Sequence, residues 1–170
     1  MIKPCAHIQA IYIAPKAGAA MASVRHVELI KEGIQGDRYA IGTGAYSKVI
    51  PAKIRHISLI TQAGINTSNE SLMASGEPTF TAAQTRRNIV IANMSANELN
   101  ALVDRTFKLG NLNFKGVELC APCQRPAQLL KKQNFLDAFE GRGGLRAEIL
   151  QIGNISVGDE LHFDSGETDD

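Results

Sequence analysis

Short apolar segments of strand length recur along this chain far more often than long helical stretches. Cys5 to Ile13 reads as a strand, and Met21 to Ile30, rich in Val, Leu and Ile, as one or two more. Ile54 to Thr61 and Asn88 to Ala92 have the same character. Thr106 to Leu109 and Leu112 to Leu119 read as a pair of strands joined at Gly110-Asn111, and Leu145 to Ile152 and Asp159 to Phe163 supply the last two. Helical signals are fewer. Gln62 to Met73 predicts a helix stopped by Gly76 and Pro78, and Phe135 to Glu140 a short one. Ser95, with Glu98 three residues later, fits a capping box that opens a helix through Leu102, because each side chain can satisfy a backbone amide left free at the helix start. Many short strands with little βαβ alternation predict a mainly β protein, a largely antiparallel β-barrel with a few short peripheral helices.

One region breaks the pattern. From Gly33 to Pro51 the sequence turns to Gly, Thr, Ser and Tyr, with Gly33, Gly36, Gly42 and Gly44 close together, which predicts a long ordered loop of the kind that carries function. Length and composition add bounds. A chain of 170 residues, 44% hydrophobic and 21% charged, suits one soluble domain over 1–163. The tail, 164–170, holds Asp164, Glu167, Asp169 and Asp170 and no base, and reads as a disordered solubilising end. No apolar run is long enough to span a membrane, and Met1 to His7 lacks the pattern of an export signal. Three cysteines, an odd number, argue against a disulfide framework and for a reducing cytoplasm. Few aromatics and no long basic run leave nothing to follow a nucleic-acid backbone or stack on its bases.

The candidate chemistry centres on Cys120 and Cys123, at the end of a predicted strand. Two thiols so spaced suit a redox pair, half of a zinc site, or a thiolate bound to a soft cofactor. Redox pairs of the thioredoxin kind open a helix in a βαβ unit, which Pro126 and the strand-rich pattern disfavour. A zinc site needs three or four ligands, and only Cys5-Ala6-His7 offers a second pair. Small buried thiols with no chemistry are the plainest alternative. Three polar segments point towards a ligand: Gly36-Asp37-Arg38-Tyr39, Thr85-Arg86-Arg87-Asn88, and Gly141-Arg142-Gly143-Gly144-Leu145-Arg146. Each sets arginine beside glycine or at a strand end, where a guanidinium can grip a phosphate or carboxylate while glycine amides close the gaps. Other sites find no support. Gly42-Thr43-Gly44 lacks the rest of a dinucleotide fingerprint, and His7, His26, His56 and His162 form no metalloprotease pair.

In order and spacing, these segments resemble the MOSC domain family, found at the C-terminus of molybdenum cofactor sulfurases and as small stand-alone bacterial proteins. The matching stretches are Gly36 to Tyr39 with Gly42 to Ser47, Ile57 to Ile60, Thr85 to Val90, Leu119 to Cys123, Arg142 to Ala147, and Ile155 to Asp159, so the resemblance runs from about Ile8 to Phe163. It implies a β-barrel with peripheral helices that binds a molybdopterin-type molybdenum cofactor. By motif position it implies Cys123 as the metal's thiolate ligand or a carrier of transferable sulfur. Arg86 and Asn88 would hold the cofactor's phosphate or pterin, with Arg87, Arg38, Arg125, Gly143, Gly144 and Arg146 as further contacts. Asp37 would orient a pterin amine or relay protons, a role weighed equally with that of a plain turn residue. The implied reaction is two-electron reduction of an N-hydroxylated small molecule, with electrons from a separate reductase, since no flavin, haem or iron–sulfur motif is visible. The other implied role is a sulfur carrier or cofactor-delivery protein fed by an external sulfur donor.

Overall fold

Phe107 and Leu109 are buried while Thr106 and Lys108 between them are exposed, a period of two that holds a chain extended with one wet face. The same logic builds most of this protein. The computed structural model describes residues 5–120 and 138–163. Their elements run β1 (His7–Ile13), β2 (Ala22–Val24), β3 (His26–Ile30), β4 (Gly33–Ile34), α1 (Arg38–Ile41), β5 (Ile57–Thr61), α2 (Gln62–Ala74), a 3-10 turn (Ala83–Thr85), β6 (Ile89–Ala92), α3 (Ala96–Asn100), β7 (Thr106–Leu109), β8 (Leu112–Leu119), β9 (Leu145–Ile149), β10 (Gly153–Ser156) and β11 (Leu161–His162).

Eight strands form one sheet in the order β11-β7-β8-β9-β5-β6-β1-β2, and β10-β3-β4 form a second. The fold is mainly β, as the pattern predicts, and the large sheet curls. Its β11 end meets β1, one strand in from the other end: His7 bridges Glu160, Ile8 N–H donates to the Asp159 carbonyl at 2.8 Å, and Leu161 N–H donates to the Ala6 carbonyl at 2.8 Å. These bonds satisfy backbone groups that an open edge would leave unpaired. Every pairing between named strands is antiparallel except β5 with β6, which lie parallel because α2 carries the chain from one to the other. With that single βαβ unit the sheet is largely antiparallel, as expected.

Ile57, Leu59, Ile89, Ile91, Phe114 and Leu145 point into the barrel with the main core, whereas Ile60 and Val90 point outward into a second cluster with Ile65 and Leu72 of α2 and with Phe80 and Phe139. Burial on both faces explains why β6 reads as unbroken Ile-Val-Ile rather than alternating. Each of these side chains, fully buried, contributes about 1.5–3 kcal/mol. Caps set the helix starts: Thr61 Oγ1 accepts from Gly64 N–H at 3.0 Å, and the Ser95–Glu98 capping box is formed in both directions.

Several boundaries differ from the sequence reading. The predicted loop from Gly33 to Pro51 contains β4 and α1, the strand expected from Ile54 starts at Ile57, and the helix expected through Leu102 ends at Asn100. The strand expected to reach Ile152 stops at Ile149 and is followed by β10. Part of the helix expected from Phe135, and the whole acidic tail, lie outside the described residues. No helix of the described residues is long and apolar enough to cross a membrane.

Candidate functional site

Ser58 and Arg146 are cross-strand partners on β5 and β9. Each alternates with residues of the barrel core, Ile57 and Leu59 on one strand and Leu145 and Ala147 on the other, so both face outward. Over this patch of wall lies a cavity of about 70 Å³ lined by Tyr39, Tyr46, Arg55, Ile57, Ser58, Asn88, Cys120 and Arg146. Beside it, a recess of about 250 Å³ is lined by Glu32, Tyr39, Gly42, Tyr46, Ser47, Ala52, Lys53, Arg55 and His56. Tyr39, Tyr46 and Arg55 border both spaces, so cavity and recess are neighbours across those three side chains.

Asn88 holds the floor together. Its Oδ1 accepts from the backbone N–H and the hydroxyl of Ser58, both at 3.1 Å, and its Nδ2 donates to the Tyr12 carbonyl at 3.1 Å. One buried amide thus ties β5 to β1 across β6. Cys120 closes the far wall; it is buried, and its N–H donates to the Gly144 carbonyl at 2.8 Å. Arg146 pairs with Glu118, and Lys53 lies 3.7 Å from the same carboxylate. Arg55 has no ion pair among the described residues; its guanidinium rests 4.8 Å from the Tyr46 ring centre and 5.9 Å from that of Tyr39. A cation held on aromatic faces keeps its N–H groups for an anion. Two arginines and a lysine against Glu118 and Glu32 leave this region positive.

Of the residues singled out from the sequence, Tyr39, Asn88, Cys120 and Arg146 line the cavity. Asp37, Arg38, Arg86, Arg87 and Gly144 do not line it. Asp37 is fully buried and lines neither space; its Oδ1 accepts from Ala14 N–H at 3.1 Å and from Arg38 at 3.0 Å, and its Oδ2 has no hydrogen-bond partner among the described residues. Arg38 also donates to the Arg86 carbonyl at 3.2 Å and lies 5.1 Å from the Tyr39 ring centre. Arg86, at φ 62°, donates to the Ala19 carbonyl, and Arg87 Nε to the Gly143 carbonyl at 2.7 Å. Gly144, at φ 104°, lets the chain pass against the Leu59 carbonyl. Cys123 and Arg125 lie outside the described residues. The sequence reading did not single out Arg55, Tyr46, Ser58, Lys53 or His56. Arg55 carries the signal that marked Arg86 and Arg87, an arginine just ahead of a strand.

Among the described residues, which do not include Cys123, no group of three or more His, Cys, Asp and Glu side chains is arranged to hold a metal ion. Cys5 is exposed, and donation of its S–H to Glu160, together with that carboxylate's charge, raises its thiol pKa, which keeps it protonated.

Two predictions arise from the recess wall. A Cβ on Gly44 would sit 2.5 Å from the Tyr39 ring. Gly44→Ala is therefore expected to displace Tyr39, altering the near-ultraviolet tyrosine signal and costing about 1–3 kcal/mol in denaturant titration. An unchanged tyrosine signal would contradict this packing. His56 accepts from Ile149 N–H through Nδ1 at 3.1 Å, and burial lowers its pKa against the opposing pull of Glu148 and Glu32. The unfolded chain therefore binds this proton more readily than the folded one, so His56's contribution is complete above about pH 6.5 and is lost as pH falls from there. Thermal midpoints measured between about pH 5 and pH 8 should drop on the acid side, and His56→Gln should flatten that slope.

A family model described as the MOSC domain matches residues 47–162. Among solved structures, YuaD from Bacillus subtilis superposes with a TM-score of 0.73 at 18% identity, covering 93% of this chain and 94% of that one. YiiM from Geobacillus stearothermophilus gives 0.68 at 16% identity, covering 94% of this chain and 75% of that one. YiiM from Escherichia coli gives 0.69 at 14% identity, covering 98% and 73%. At such identities these likenesses bear on the fold alone. No curated protein sequence matches the chain.

Proposed function

Since the chain belongs to the MOSC domain family, a family associated with molybdenum cofactor binding, we propose that it holds a molybdopterin-type molybdenum cofactor at the Arg55–Arg146 cavity and reduces N-hydroxylated compounds. The observation that carries the reading is a convergence. Two arginines, two tyrosine rings and the strand end that leads into Cys123 meet at one place on the barrel wall.

The residues present fit such a group. Its phosphate is anionic, and Arg55 and Arg146 supply cationic donors; its pterin is planar, and Tyr39 and Tyr46 offer flat faces bordering both cavity and recess. The cavity alone is too small for a pterin, so the ligand would extend into the recess. Cys123 follows Cys120 by three residues, a chain span of at most about 11 Å. In this reading Cys123 provides the thiolate, a soft donor suited to a soft metal centre, and Arg125, two residues on in the sequence, would favour its deprotonated form.

When bound, the cofactor would supply two-electron reduction at molybdenum. The chain's part is positional. Arg55 and Arg146 neutralise the anionic end, Asn88 and Ser58 form a rigid polar floor, and the two tyrosines screen the site from water. Asp37 acts through Arg38, which it holds beside Tyr39, and not by touching the ligand. Electrons come from a separate reductase, in a cytoplasmic setting that keeps Cys123 reduced.

Expression of the full chain in a host that makes molybdenum cofactor tests this. Purified protein should carry molybdenum and pterin together in stoichiometric amounts, and protein free of both would sink the proposal. Turnover of an N-hydroxylated base with dithionite as electron donor supports the enzyme. Persulfide on Cys123 by mass spectrometry, without reductase activity, supports a sulfur carrier instead.

A further inference from the structure

Half of the large apolar side chains exposed among the described residues fall between Ile41 and Ile54. Ile50 is 90% exposed, Ile41 54% and Val49 49%. Lone exposed aliphatics are ordinary, but a cluster this dense is not scatter, and burying it against another surface would be favourable. The same segment, extended to Arg55, carries Lys48, Lys53 and Arg55 and no aspartate or glutamate. It is an apolar patch set among cations. Its other side is Tyr46, Ser47, Ala52 and Lys53, which line the recess. Whatever seats on this loop therefore sits at the mouth of the site.

The function proposed above, on which this inference rests, leaves one requirement unmet within the chain. Converting R–NHOH to R–NH2 breaks the N–O bond and releases its oxygen as water, consuming two electrons and two protons. A reduced flavin balances the step: it gives up two electrons and two protons and becomes the oxidised flavin. We propose that the loop from Ile41 to Arg55 is the docking surface for an acidic electron-carrying flavoprotein, whose carboxylates face the exposed Lys48 and Lys53 while its apolar centre covers Ile50. Opposite charges steer the encounter and set its orientation, and a small apolar contact holds it briefly, as a carrier that must leave again requires. Attraction of this kind weakens as salt rises.

The test is binding of the full chain to immobilised flavodoxin, a small acidic flavoprotein, at low and high salt. Wild-type protein should bind at low salt and lose affinity as salt rises. Ile50→Glu and Lys48→Glu should each weaken binding by about tenfold, while Lys108→Glu, on β7 outside the loop, should leave it unchanged. Both loop positions are exposed, so the variants should keep the wild-type thermal midpoint. Absence of binding at low salt, or binding indifferent to both loop substitutions, overturns the proposal. Loop-dependent binding to phosphatidylserine vesicles in place of flavodoxin overturns it as well, since the patch would then be a membrane contact. The two readings fail separately. Dithionite-driven turnover without flavodoxin binding removes the docking surface and keeps the reductase, whereas flavodoxin binding by a chain that never acquires molybdenum removes the cofactor.

Discussion

Cys123→Ala is expected to leave the protein folded but free of molybdenum when it is produced beside the cofactor pathway, while Cys120→Ser retains the metal. The contrast matters because Cys120 lines the cavity, buried to 96% beside Ser58, Asn88 and Arg146, whereas Cys123 lies outside the described residues. Cys120 follows the last residue of β8, its N–H donates to the Gly144 carbonyl, and its buried thiol packs as a small apolar wall residue. A ligand thiolate needs room to approach a metal carried by a group larger than this cavity. Molybdenum assayed by mass spectrometry and pterin by fluorescence in the two variants decide the matter. Metal lost from Cys120→Ser and kept by Cys123→Ala would transfer the ligand role to Cys120, and equal loss in both would restore a paired-thiol site.

The second large effect is on stability. Gly144→Ala should lower the free energy of unfolding by about 3 kcal/mol or more, read from the denaturant midpoint. Two costs add at that position. Gly144 sits at φ 104°, outside the range comfortable for an L side chain, and a Cβ there would overlap the Leu59 carbonyl oxygen. Leu59 pairs with Leu145, so relief of the overlap must loosen β5 from β9, the two strands beneath Ser58 and Arg146. Gly18 separates the two costs, having φ 81° and nothing within 4 Å of a Cβ, so Gly18→Ala should lose only the backbone share, about 1–2 kcal/mol. Equal losses in the two variants would show that the Leu59 contact carries no weight. Loss of fold in Gly144→Ala would also remove any ligand, so the glycine's place in a ligand motif need not mean that it touches one.

Local signals in the sequence found most of the strands and both longer helices. The alternation in Thr106 to Leu109 and the Ser95–Glu98 capping box act within a few residues and depend on little else. They could not reveal that β1 meets β11, a contact between residues about as far apart as the chain permits, or that α2 returns the chain parallel to β5. Pairing of distant strands depends on what the whole chain can bury at once, and no short window carries that information.

The site divides along the same line. Sequence alone marked Arg146 and Asn88, which line the cavity, and chose Cys123, because chemical type and motif order are properties of the sequence. Only the tertiary structure showed how the arginines are used. Arg38, Arg86 and Arg87 give hydrogen bonds to backbone carbonyls 48, 67 and 56 residues away, while Arg55 lies over two tyrosine rings beside the cavity. A guanidinium is the same group in each place. Its partners decide whether it braces the backbone or is left to meet an anion, and those partners come together only when the barrel closes.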